Sequence, residues 1–208
     1  RAHRPAPATI NAQETMQPKL GLVCITASKD VRYRTVTRKR LLEHSPDAQR
    51  KLLEDLYRDN IQTLDKALRY CEAEGIRLYR LPSSIFPFAD EDIGREVLAP
   101  FAATLGRSGR RAMERGIRLV MHPDQFVVLN SDSEGVVANS IKILQMHADI
   151  MDLLKQPRSP WALLEIHGGK ANRADALVAS IARLPEAIRC RLGLENDEYS
   201  YSAEEIHA

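Results

Sequence analysis

Gly116-Ile117-Arg118-Leu119-Val120-Met121-His122-Pro123 carries a helix stop, a strand and a ligand-type residue within eight positions. A glycine placed to stop a helix is followed by a short aliphatic run, residues 117–121, which ends in a histidine held by a proline. A run this short and apolar reads as a buried parallel strand. Pro123 keeps the backbone before it extended, so the His122 imidazole is aimed at the mouth formed by the strands' C-terminal ends.

Two other segments repeat the arrangement. The run 161–166 leads into Glu165-Ile166-His167-Gly168-Gly169, and the run 191–194 leads into Leu194-Glu195-Asn196-Asp197-Glu198. Each is separated from the next by a helix-length segment, so the three ligand-type residues sit where α/β barrels carry their chemistry. A lone strand-end histidine is commonly just a satisfied polar residue. Glu195 changes that reading, because a carboxylate ending an apolar strand must be paired, hydrogen-bonded or bound to a cation. Two imidazoles and a carboxylate, His122, His167 and Glu195, make a coherent set for zinc or manganese. The bland alternative is three independently solvated loop residues. Glu165 is left out of the set because it points to the opposite face from Ile166, while Asn196 and Asp197 are natural hydrogen-bond partners for ligated histidines.

Outward from these segments the chain alternates apolar runs and amphipathic stretches. Residues 19–26 form a first strand, followed by a polar, basic stretch over 27–45. Leu53, Leu56, Ile61, Leu64, Leu68 and Cys71 recur at helical spacing up to a Gly75 cap, and 76–81 is a second strand halted by Pro82. Residues 90–115 read as helix, started afresh or kinked at Pro100 and weakened at Gly106; 133–154 is the next helix, and 171–189 a helix broken near Pro185. Ser202-Ala203-Glu204-Glu205 has capping-box spacing and should open another helix.

This pattern implies an α/β fold with a parallel sheet. An open doubly wound sheet would place a glycine-rich phosphate loop after the first strand, and none is present. Ligand-type residues after several strands fit a TIM (β/α)8-type barrel better. Eight units take ~250 residues, so these 208 hold about five, with unpaired strand edges to either side. The expected organisation is a disordered tail over 1–18, rich in proline and poor in aliphatics, and a partial barrel over 19–208. A start at Arg1 and a helix cut off at Ala208 lead us to expect further chain on both sides.

A formal net charge of +2 does not announce a polyanion partner, yet Arg32, Arg34, Arg38, Lys39 and Arg40 cluster locally, with Tyr33 among them. Such a run either tracks phosphates or is solvated surface. Arg80 with Ser83 and Ser84 is placed to face a phosphate at the mouth of the second strand. Gln125 and Phe126 offer an amide and a ring at a loop tip, the residue types that wedge into or stack on bases; a core Phe beside an exposed Gln is the plainer reading. Cys24, Cys71 and Cys190 lack a Cys-x-x-Cys spacing and argue for a reducing compartment. No apolar run approaches bilayer-spanning length, so a cytoplasmic monomer is expected.

Taken together, these segments resemble the UV damage endonucleases, which nick DNA on the 5′ side of a lesion. The likeness runs from about Leu20 to the C-terminus through Leu-Gly-Leu-Val-Cys-Ile at 20–25, Arg-Tyr-Arg-Thr-Val-Thr at 32–37, Tyr-Arg-Leu-Pro-Ser-Ser-Ile-Phe-Pro-Phe at 79–88 and the three ligand segments. The resemblance implies a TIM barrel related to endonuclease IV, a cluster of divalent metals with Mn²⁺ the usual ion, and metal-ligand roles for His122, His167 and Glu195, the last bridging two ions. It also implies that Gln125 and Phe126 match a Gln-Tyr pair that probes damaged double-stranded DNA, with Phe126 keeping the ring and losing the hydroxyl. Leu22 stands where relatives often carry a tyrosine. In the family a further C-terminal third supplies an Asp, more His residues and a Glu to the metal cluster.

The expected function is therefore DNA repair by metal-assisted hydrolysis, with Mn²⁺ favoured over Zn²⁺ or Mg²⁺, in a bacterial nucleoid setting. The rival readings are a metal-dependent barrel sugar isomerase or epimerase, which would enclose a small sugar, and a fragment that binds DNA or metal without catalysis.

Overall fold

A computed structural model of the protein describes residues 20–24, 31–123, 126–196 and 200–207. The tail expected over 1–18, Gln125 and Asp197 lie outside the described residues. Five strands, β1 (Leu22–Val23), β2 (Leu78–Leu81), β3 (Arg118–Met121), β4 (Leu164–His167) and β5 (Leu192–Glu195), form one all-parallel sheet in the order β1-β2-β3-β4-β5. Every strand neighbours the next in sequence, as in consecutive units of a barrel.

The connections are helical. α1 (Arg38–Leu42) and α2 (Pro46–Ala73) link β1 to β2, and α3 (Asp92–Leu98) and α4 (Ala102–Glu114) link β2 to β3. α5 (Glu134–Leu153) leads to β4, α6 (Ala174–Ala182) and α7 (Glu186–Arg189) lead to β5, and α8 (Ala203–His207) follows. Ser45 caps α2, its hydroxyl accepting from the Ala48 N–H at 3.4 Å, with Pro46 in the first turn. Gly75 and Gly116 stop α2 and α4 in the left-handed region, φ +67° and +65°. The capping box expected at α8 forms in both directions: the Glu205 N–H donates to the Ser202 hydroxyl at 3.3 Å, and the Ser202 N–H to the Glu205 carboxylate at 2.7 Å.

Strand alternation sorts the side chains. Tyr79, Leu81, Leu119, Met121, Leu164 and Ile166 are buried against the helices, in one core with Leu53, Leu64, Leu105, Leu144 and Met151. Leu78, Arg80, Glu165 and His167 alternate with them and are half-buried on the other face. Glu165 thus shares the inner face with His167, one step below it.

The structure tests the expected boundaries. β4 begins at Leu164, not 161, because Pro160–Ala162 is a 3-10 turn capped by Ser159. The carbonyls of Pro160 and Trp161 are taken by the Arg118 guanidinium, both at 2.6 Å, instead of by a strand ladder. The break expected at Pro100 in the helix over 90–115 is present as a 3-10 turn, Ala99–Phe101, since Pro100 has no N–H to continue the ladder. Gly106 does not weaken α4. It lies in a buried small-residue face with Gly109, where an added Cβ would come within 1.7 Å of the Leu154 carbonyl, so α4 packs on the end of α5 at backbone distance. Of the first strand expected over 19–26, residues 20–24 are described, and of these Leu22–Val23 is strand. Among the described residues no helix is long and apolar enough to cross a membrane.

Candidate metal centre

The C-terminal ends of β3, β4 and β5 bring three side chains to one point. His167 and Glu195 are register partners across β4 and β5, and His122 directly follows β3. The Glu195 Oε2 lies 2.8 Å from His122 Nε2 and 3.9 Å from His167 Nδ1. The two imidazoles meet edge to face, centroids 5.0 Å apart. One donor atom from each residue lies within 4.8 Å of the other two. Donors on a shell of ~2.0–2.2 Å stand ~3–3.5 Å apart, so modest side-chain movement closes this triangle on an ion.

The hydrogen bonding is compatible with a bound cation. His122 Nδ1 lies 2.9 Å from the Pro123 carbonyl, an acceptor, so this nitrogen carries a hydrogen. Nε2 faces the Glu195 carboxylate at 2.8 Å, a contact that positive charge between the two, a ring proton or a metal ion, makes attractive. A histidine held by a backbone carbonyl through its far nitrogen is the usual arrangement around a bound metal. All three side chains are partly open, at 19%, 39% and 41% exposure, which leaves coordination positions accessible from outside. The residues present fit a divalent ion.

The remaining sequence candidates distribute around this rim. Phe126 is 68% exposed, so the plainer reading of it as a core residue does not hold. Arg80 is half-buried in β2 between Val23 and Val120, and the loop after β2 carries Ser83, half-buried, and Ser84, exposed. Arg32 is exposed; Arg34 pairs with Asp59, and Arg38 with Glu91 while its guanidinium lies 5.3 Å from the Phe88 ring. Tyr33 is not presented to phosphates: its hydroxyl meets that of Tyr79 at 2.8 Å, and burial pushes both phenols well above their ordinary range. Asn196 is exposed beside Glu195.

Sequence reasoning missed the polar side chains that hold the rim from below. Asn60 of α2 accepts from the Arg34 N–H at 2.7 Å and donates to the carbonyls of Arg34 and Ile85 at 2.9 and 2.7 Å, joining the loops after β1 and β2. His147 of α5 stands between the Ile143 and Ser83 carbonyls, at 2.9 and 3.2 Å. A signal existed for both: Asn60 falls on the stripe of Leu56 and Leu64, and His147 on that of Leu144 and Met151, where a polar residue must be hydrogen-bonded.

The family described as UV-endonuclease UvdE matches residues 18–208. The chain belongs to the UvdE family. It is 49% identical over 202 residues to a UV DNA damage endonuclease of Nostoc sp., covering 96% of this chain and 63% of the relative. With that of Deinococcus radiodurans it shares 48% over 192 residues, covering 91% and 63%. The crystal structure of SacUVDE superposes with a TM-score of 0.77 at 26% identity, over 89% of this chain and 63% of that one. The UvdE fold seen here is of the TIM-barrel type, and the chain spans about 63% of the length of these relatives.

Proposed function

We propose that this UvdE chain is the metal-binding part of a DNA repair endonuclease that nicks the backbone on the 5′ side of UV-induced and other lesions, with Mn²⁺ as the resident ion. One observation carries the reading: in a chain of this family, His122, His167 and Glu195 converge within 4.8 Å at the C-terminal edge of the sheet. These three residues would hold the metal, and Glu195, using its two oxygens, would share it with a second ion. Bound divalent ions supply charge on the phosphoryl oxygen and lower the pKa of an attacking water. The chain's own residues do the rest. The Pro123 carbonyl fixes the His122 ring, and the exposed Phe126 ring, which Gln125 precedes in the sequence, is available to wedge into a step already weakened by damage. Arg32 and Arg34, with Arg80, Ser83 and Ser84, lie on the β1–β2 side to meet phosphates.

The test is a nicking assay with irradiated and unirradiated supercoiled plasmid, on a protein that extends this chain to the full length of its relatives. Mn²⁺-dependent conversion of irradiated plasmid to open circles, abolished by Glu195→Gln, is expected. Conversion that persists in Glu195→Gln, or that ignores irradiation, would overturn the proposal.

A further inference from the structure

The segment that leaves β4 directly after His167 is bound at every peptide carbonyl. Asn130, from the connection after β3, is 1% exposed and lies along residues 168–170. Its Nδ2 donates to the carbonyls of Gly168 at 3.1 Å and Lys170 at 2.8 Å, and its Oδ1 accepts the Lys170 N–H at 2.8 Å. From the far side, after β5, the Ser200 hydroxyl donates to the Gly169 carbonyl at 2.7 Å. The Tyr201 hydroxyl donates to the Lys170 carbonyl at 2.9 Å and accepts the Arg173 N–H at 3.0 Å. The two glycines are what admit these side chains. A Cβ on Gly168 would lie 2.2 Å from the Tyr201 ring, and one on Gly169, at φ +77°, 2.3 Å from Asn130 Oδ1. The turn after His167 is therefore crowded by the protein itself.

From this we infer that Asn130 and Tyr201 are positioning residues: they brace the loops leaving the three ligand strands against one another and so set where His167 stands relative to Glu195. The inference rests on the metal-centre reading. Neither residue reaches the ligand atoms. Their action is through the backbone next to His167, pinned from the β3 side by Asn130 and from the β5 side by Tyr201. The β4–β5 ladder sets His167 and Glu195 in register, and the bracing of the turn just beyond it holds the ends of those strands to the tolerance that a metal shell demands.

The test uses Co²⁺, whose visible absorption reports coordination directly, together with amide hydrogen exchange in the absence of metal. Asn130→Ala should remove protection at the Lys170 amide, shift the Co²⁺ band and weaken Co²⁺ binding about 10-fold or more, the usual cost of losing such support. Tyr201→Phe keeps the ring on Gly168 and should remove protection at the Arg173 amide with a smaller loss of affinity. Ile117→Val, fully buried at the opposite end of the sheet, serves as a variant destabilised without touching the rim. Co²⁺ affinity and spectrum in Asn130→Ala matching those of wild type or of Ile117→Val would overturn the inference while leaving the metal centre standing. Absence of Co²⁺ binding by the wild type would instead remove the metal reading, and this inference with it.

Discussion

The rim of this sheet is built in two halves that use one device for different ends. On the β1–β2 side, Asn60 fastens neighbouring loops, and the side chains those loops present are cations, two of them engaged with Asp59 and Glu91. On the β3–β5 side, Asn130 fastens neighbouring loops, and what they present are two imidazoles and a carboxylate turned toward one point. In both, a buried amide satisfies backbone groups far away in the chain: Asn60 those of the connections after β1 and β2, Asn130, itself in the connection after β3, those of the connection after β4. The difference lies in what stands above the amide: a cationic border where charges are held apart by carboxylates, and a triangle of two imidazoles and a carboxylate. The β3–β5 half is braced on both flanks, by Asn130 and by Ser200 and Tyr201.

The base of the ligand half offers the largest expected effect. Arg191, fully buried just before β5, donates to the carbonyls of Ala148, Gln156, Pro157 and Ala187 and to Asp152 at 2.7 Å. Arg191→Met leaves those acceptors unmatched and should cost about 3–5 kcal/mol in urea unfolding. The folded fraction should still bind Mn²⁺ as wild type does; a large change in affinity would mean that the base, not the rim, sets the triangle. Next in size is Asn60→Ala, expected to cost about 2–3 kcal/mol through the orphaned groups of Arg34 and Ile85 while leaving metal affinity alone. If it weakens metal as strongly as Asn130→Ala, the two halves are not separate.

Phe126→Ala tests the border between the halves. Discrimination between damaged and intact duplex in a binding assay should fall by about 1–3 kcal/mol, the worth of one stacked base, with Mn²⁺ affinity unchanged. The smallest effect is in pH. Burial pushes the Cys71 thiol, beneath the β1–β2 half, up to about 11. A raised folded value gives stability that is complete below the unfolded thiol's pKa of about 8.5 and lost as pH rises toward about 11. Asp152 goes the other way: burial raises its carboxyl, but hydrogen bonds from Arg158 and Arg191 outweigh this and hold it below its ordinary range. Its contribution is present above about pH 4 and lost as pH falls through the folded value. Stability curves against pH should thus lose their alkaline limb partly in Cys71→Ala and their acid limb partly in Asp152→Asn, with no exchange of effects.

Much of this was legible in the sequence, because local chemistry wrote it. Aliphatic runs closed by His122, His167 and Glu195 located three strand ends, and Gly75, Gly116 and the Ser202–Glu205 box marked helix termini by rules that act within a few residues. The start of β4 was misjudged because Trp161 is apolar yet half-exposed, and its carbonyl is claimed by Arg118, far away in the chain. The bracing of the rim was illegible for the same reason. Asn130 meets residues 168–170 only once the strands stand side by side, and nothing near Asn130 in the chain announces it. Asn60 and His147 were readable in principle, as polar residues on apolar stripes.

The central claim is that His122, His167 and Glu195 act as one metal centre. Mn²⁺ binding followed by electron paramagnetic resonance, in wild type and in His122→Ala, His167→Ala and Glu195→Gln, tests it most directly, because free and bound ion are counted without any substrate. Wild type should bind Mn²⁺ at this triangle, and each single substitution should remove that binding while the fold persists by circular dichroism. Undiminished Mn²⁺ binding in any one of the three variants would contradict the claim.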